Sequence, residues 1–308
     1  MRGLGSGAKR LNRSGTAARA DAASGVTAGA VVAAAEARAP APATFAHGPD
    51  HVQSLERGLA VIRVFDATHA AMTLSEVAAR AQLSRAVVRR LLLTLEHLGY
   101  VARQGRQFSL TPRILDLGFS YLSSLNVAML AQPFMEEVTR STDESCSLAV
   151  LDEYDIVYVQ RVAVRKVMTI TLGIGARLPA FCTSMGRVLL AGLADESLDR
   201  WLRGLRTQAW TRLTLTELTG LRSAVQRARA QGYAYVEQEL QEGLCSLAVP
   251  VRDGRGHVVA ALNTGMPFRV GARAHAMKKV LPALRTGAGK IERSIMARPG
   301  GITSAAHP

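Results

Sequence analysis

The chain has 308 residues, 48% hydrophobic and 20% charged, with a formal net charge of +14. That length allows two domains with a core each, and the charge favours polyanions through phosphate contacts, although an Arg- and Ala-rich composition from a high-GC genome gives the same balance. Three widely spaced cysteines, Cys146, Cys182 and Cys245, argue against a disulfide framework and a Cys/His zinc site, no run of about 18 apolar residues offers a membrane span, and 5% aromatics is lean for a single-strand binder that stacks bases.

Residues 1–47 are Ala, Gly, Ser and Arg with few large apolar side chains, and are predicted to form a disordered basic tail. A transit peptide or a misplaced translation start would leave the same composition. Leu55, Leu59, Ile62 and Phe65 then recur at helical spacing, with Ser54 as the N-cap. Thr73-Leu-Ser-Glu76 is a capping box, and Leu74, Val77, Ala78 and Ala81 make one apolar face. A short turn, Gln82-Leu83-Ser84, leads to a helix capped by Ser84, in which Val88, Leu91, Leu92 and Leu95 share a face.

At about 100° per residue the opposite direction carries Ala86, Arg90 and Leu93, with Arg89 to one side and Arg85 at the N-terminal end. A capped short helix, a tight turn and an arginine-bearing helix together form a helix-turn-helix. A small residue flanked by arginines suits a major groove, and the helix start suits phosphate; a solvated charged face is the alternative. Leu93 does not fit the outward face. Tyr100 to Leu110 reads as two short strands around Gly105, a wing whose Arg103 and Arg106 reach phosphate or a minor groove.

Thr111-Pro112 opens a linker helix with Ile114, Leu117, Tyr121 and Leu125 on one side, to be covered by a second chain or by this one. A helix from Met129 to Arg140 is followed by strand-like runs at Ser145–Leu151, Ile156–Val162 and Met168–Leu172, the first two joined by a turn at Asp152–Asp155. Thr183-Ser-Met-Gly186 caps a helix from Arg187 to Leu193. Helices follow at Glu196–Leu205 and Thr216–Gln231, then strands at Leu244–Val251 and Val258–Thr264 around Asp253-Gly254, then a helix over Arg273–Met296. The predicted fold is α+β with one antiparallel sheet. The predicted domains are a tail (1–47), a winged helix-turn-helix (48–111), a linker helix (112–128), an α+β domain (129–298) and a flexible end (299–308).

Several stretches, in order from about Val52 to Met296, resemble IclR-type bacterial transcriptional regulators. They are SLERGLAVIRVFDA, TLSEVAARAQLSRAVVRRLLLTLEHLGYV, LTPRILDLGFSYL, GARLPAFCTSMGRVLLA and GLCSLAVPV. CTSMGRVLLA with QELQEGLCSLAVPV is most like the branch regulating the beta-ketoadipate pathway, which controls protocatechuate and 4-hydroxybenzoate catabolism. The resemblance implies a GAF/PAS-like effector domain, a dimer or tetramer, double-stranded operator DNA and a small organic acid effector as partners, a bacterial cytoplasmic location and no cofactor.

It also implies a carboxylate site on the backbone N–H groups of Ser184 and Met185, a chemistry that a helix N-terminus supplies without a cation. Ser246 would be a polar wall. Asn263 and Gly265 stand where the family has small hydroxyl residues, and Glu237 lies where family members often carry Asp, awkwardly for an anionic effector. Arg161, Arg165 and Arg177 are candidates for a second carboxylate. Ser184 also serves as a helix cap on the plainer reading, Cys182 and Cys245 as small core residues, and Met168 and Met185 as core fillers or pocket walls. A hydrolase using Ser184 with His257 and Asp253 is the contrasting reading, but the chain has no GxSxG elbow and His257 falls in a turn.

Overall fold

The computed structural model describes residues 50–66, 68–118, 127–164 and 172–297. The basic tail, the end at 299–308, Tyr121 and Leu125 of the linker helix, Arg165, Met168 and most of the strand expected at 168–172 lie outside the described residues.

The N-terminal unit runs α1 (Gln53–Arg63), β1 (Ala71–Thr73), α2 (Leu74–Ala81), α3 (Arg85–His97), β2 (Val101–Gln104) and β3 (Gln107–Leu110). Val61, Met72, Val77, Val88, Leu92, Val101 and Phe108 bury against one another as its core. The Thr73 hydroxyl accepts the Glu76 backbone N–H while Glu76 accepts the Thr73 N–H, so the expected capping box is formed. The turn is made by Gln82 at φ 53°, and Ser84 accepts the Val87 N–H to start α3. Asp66 ties the loop before β1 to α2 through Arg80, at 2.9 Å. Burial pushes the Asp66 carboxyl up, but hydrogen bonds from Thr68 and His69 outweigh it and bring the pKa to about 2.

Two expectations for this unit are corrected. The N-cap of α1 is Val52, without a side-chain cap, and not Ser54. The buried face of α1 carries Val61, while Leu55 and Leu59 are exposed. Leu59 and Val61 lie about 160° apart on a helix, and apolar spacing alone does not say which stripe meets the chain's own core. Strand β1 adds a third member to the wing sheet, in the order β1-β3-β2, through Met72 opposite Phe108. Leu110 is followed by a 3₁₀ turn, Pro112–Ile114.

The second unit holds a six-stranded antiparallel sheet in the order β6-β5-β4-β9-β8-β7. Its elements are α4 (Val127–Thr142), β4 (Cys146–Asp152), β5 (Asp155–Val162), β6 (Arg177–Pro179), α5 (Ser184–Ala191), α6 (Asp195–Gly204), α7 (Leu218–Gln231), β7 (Ala234–Glu237), β8 (Leu244–Arg252), β9 (Val258–Pro267), α8 (Ala272–His275) and α9 (Leu281–Met296). The helix expected over Arg273–Met296 is interrupted by a π-turn at Ala276–Val280.

Strand alternation divides the core. Leu148, Val150, Leu247, Val249 and Leu262 face α4 and α9. Ala149, Tyr158, Ala248 and Ala261 face α5, α6 and α7, packing with Met185, Val188 and Leu189. Cys245 is buried in the first cluster and Cys182 in the second, as small core residues.

Candidate nucleic-acid interface and effector cavity

Helix α3 is held from below by Val88, Leu92 and Leu95, which are buried, so its other side is presented to solvent. Arg85, Ala86, Arg89 and Arg90 are all exposed, and none of the three arginines has an ion-pair partner among the described residues. Leu93, outward on the helical wheel, is half-buried. The hydroxyls of Thr73 and Ser84 are occupied in the caps of α2 and α3. In the wing, Arg103 is exposed but folded back: its Nε donates to the Gly105 carbonyl at 3.1 Å and its guanidinium lies 5.7 Å from the centre of the Phe108 ring. Arg106 is exposed at the same turn.

The second candidate site begins at α5. Thr183, not the segment through Gly186, is the N-cap, and its side chain accepts the Gly186 N–H at 3.1 Å. Helix α5 therefore starts three residues earlier than expected, which makes Ser184 and Met185 its first two residues. Their amide N–H groups have no partner within the helix. Both residues are buried, and the Ser184 hydroxyl oxygen is buried without a hydrogen-bond partner.

The sheet face beneath α5 carries a row of polar residues. Ser147 on β4 lies opposite Asn263 on β9, which lies opposite Ala248 on β8. Ser246 lies opposite Gly265 one step further along. Ser147 and Asn263 are buried, whereas Ser246 and Gly265 are half-buried. A Cβ added to Gly265 would meet nothing within 4 Å, so there is open space above the strand. Arg161 on β5 pairs with Ser147 in the sheet and its Nη1 donates to the Ser147 hydroxyl at 3.2 Å. Tyr158, which lies opposite Ala149 two residues along β4, is buried; burial pushes its pKa up to about 12 against the pull of Arg161, so the phenol stays neutral.

Of the three arginines considered for a second carboxylate, Arg177 is already paired with Asp152 at 2.6 Å and Asp155 at 3.3 Å. Arg161 touches no carboxylate in any described ion pair. Glu237 lies opposite Cys245, whose side chain belongs to the core on the other face. The acid is thus on the far side of the sheet from Ser246. Ser147 and Tyr158 were not singled out in the sequence; a lone serine inside the apolar run CSLAVL was the available signal.

The family model for the bacterial transcriptional regulator IclR C-terminal domain matches residues 119–293, and that for the IclR helix-turn-helix domain matches residues 54–105. The chain belongs to the IclR family. Among its relatives, the Pca regulon regulatory protein of Pseudomonas putida is 42% identical over 241 residues, covering 78% of this chain and 83% of that protein. That match supports the beta-ketoadipate branch. A crystal structure of a protein from Rhodococcus sp. RHA1 is 48% identical with a TM-score of 0.70, covering 79% of this chain and 98% of that one. An IclR homolog from Microbacterium hydrocarbonoxydans, solved in complex with 4-hydroxybenzoate, is 25% identical with a TM-score of 0.69, covering 78% of this chain and 98% of that one.

As an IclR regulator the protein binds DNA through its helix-turn-helix and is not an enzyme. The geometry at the imagined triad agrees. His257 is exposed in the β8–β9 turn, where Asp253 accepts its backbone N–H at 2.9 Å and lies 3.3 Å from its Nδ1, a clamp on the turn. A Cβ on Gly192, just after α5, would lie 2.6 Å from the Val258 side chain, so that end of α5 adjoins the turn. Ser184 is at the other end, about 12 Å away along the helix axis. Among the described residues no helix is long and apolar enough to cross a membrane.

Proposed function

We propose that this IclR regulator reads operator DNA with α3 and the wing, and that a small organic acid bound under the α5 N-terminus controls that reading. Arg85, Ala86, Arg89 and Arg90 are assigned to the major groove, Arg103 and Arg106 to the wing contact, and Thr73 and Ser84 to setting the helix starts beside the phosphates. The effector's carboxylate is assigned to the Ser184 and Met185 amides, with Ser246, Asn263 and Gly265 forming its wall. One observation carries the effector reading: the Ser184 hydroxyl is buried without a partner beside two amides that have none within the helix, on the side of the sheet where a Cβ on Gly265 would meet nothing within 4 Å. An anion matches these donors without needing a cation.

Arg161 and Ser147 form a second polar end on the same sheet face. A site with polar groups at both ends and alanines between suits a hydroxybenzoate or a short dicarboxylate better than a simple alkanoate. The 4-hydroxybenzoate bound to the Microbacterium homolog and the Pca role of the Pseudomonas relative point to aromatic acid catabolism. Self-association is assigned to the exposed stripe of α1, and the protein to the bacterial cytoplasm.

Thermal unfolding with 4-hydroxybenzoate, protocatechuate, beta-ketoadipate and benzoate tests this. A ligand at 100 times its Kd adds about 2.7 kcal/mol, or a shift of roughly 5–10 °C for a domain of this size. At least one acid with two polar ends is expected to give such a shift, and Arg161→Ala to remove its advantage over benzoate. No shift with any of the four at millimolar concentration overturns the effector assignment.

A further inference from the structure

A cleft of about 190 Å³ opens at the β7 edge of the sheet, and it shares no residue with the proposed effector set. Its walls include Arg187 of α5, Arg227 and Gln231 of α7, Tyr233, Tyr235 of β7 and Arg273 of α8, and none of its lining residues is acidic. Arg187 is buried and balanced by Glu239 at 2.7 Å, but its Nε is buried with no acceptor. Arg227 and Arg273 are exposed, and no described ion pair includes either. Arg273 is steadied by the Tyr235 ring, 5.6 Å from its centre. Two uncompensated guanidiniums from separate helices therefore border one concavity that already holds an unmatched buried donor.

We propose that this cleft is a second anion site, taking a small polyanion such as a phosphate or a short di- or tricarboxylate. Guanidinium forks match the paired oxygens of carboxylate and phosphate alike, and a concave wall of one charge sign concentrates counter-ions. The volume lies below the roughly 300–1,000 Å³ of clefts for drug-sized ligands, which favours a compact ion over a nucleotide or an aromatic cofactor. The proposed effector site differs in kind: its donors are backbone amides and hydroxyls, with the Arg161 guanidinium beside Ser147.

Isothermal titration of the full chain with inorganic phosphate and with citrate, at ionic strength held constant with chloride, tests the site. Saturable binding is expected for at least one, weakened at least about tenfold, or 1.4 kcal/mol, in Arg227→Ala/Arg273→Ala. Arg200→Ala/Arg203→Ala removes two exposed arginines elsewhere and is expected to leave binding unchanged. Whether phosphate or citrate binds more tightly identifies the ligand class. Equal binding by the wild type and the cleft variant overturns the site, as does heat that never saturates. A change in sedimentation on Arg227→Ala/Arg273→Ala, with no anion binding by the wild type, gives the cleft to a second copy of the chain and equally overturns it. None of these outcomes depends on the response to aromatic acids.

Discussion

Gly186 fixes how closely α5 sits on the loop that precedes it. A Cβ there would lie 2.0 Å from the Ala180 carbonyl oxygen and 2.4 Å from its backbone carbons, so backbone has to move. Helix propensity favours Ala over Gly by about 1 kcal/mol, but overpacking against backbone costs about 1–3 kcal/mol or more, so the clash wins. Gly186→Ala is expected to lower the melting temperature by several degrees and to weaken effector binding, because the Ser184 and Met185 amides move with the loop. A melt and an effector titration check this; an unchanged melt with unchanged binding would show that the loop yields freely. At this scale the sequence was legible where chemistry is local. Thr73 with Glu76 announced a capping box, and the loop before α5 announced a helix start. Residue partners from distant strands were not legible: nothing near Arg177 in sequence says that Asp152 and Asp155 hold it, or that Arg161 is the arginine beside Ser147.

Among the elements, α1 carries the feature that the chain alone leaves unexplained. Val52, Leu55 and Leu59 are 59%, 63% and 40% exposed, and Leu115 and Leu117 beyond the wing are 71% and 53% exposed. We propose that two copies of the chain associate through this stripe, since contiguous exposed apolar surface marks such contacts. Leu55→Glu/Leu59→Glu is expected to convert an oligomer to monomer in analytical ultracentrifugation without unfolding the winged helix, since Val61 and not these leucines fills its core. An unchanged sedimentation coefficient would place the interface elsewhere. Long amphipathic elements were readable from periodicity: α2, α3, α7, β8 and β9 fall within a few residues of their expected spans. Strands β1, β6 and β7, of three or four residues each, hold too few positions for a period-two pattern. Each exists because a longer neighbour supplies its hydrogen bonds.

For the molecule as a whole, a helix-turn-helix with exposed arginines on α3 is carried on the same chain as a domain in which Ser147, Ser184 and Asn263 are buried polar residues. An effector alters DNA affinity only through different affinities for two arrangements of the chain, so the two sites have to be measured together. The net charge of +14 pulls any duplex and makes affinity fall with salt, which is why sequence discrimination at fixed salt, and not affinity alone, reports on α3. The most direct test is the affinity ratio between an operator, recovered by selection from random duplexes, and random duplex of equal length. It is measured at one salt concentration for the wild type and for Arg89→Ala/Arg90→Ala. Each good base contact is worth about 1–3 kcal/mol, so the operator is expected to lose at least tenfold in affinity while random duplex loses much less. An operator affinity unchanged by the double substitution would contradict the assignment of α3 as the reading element.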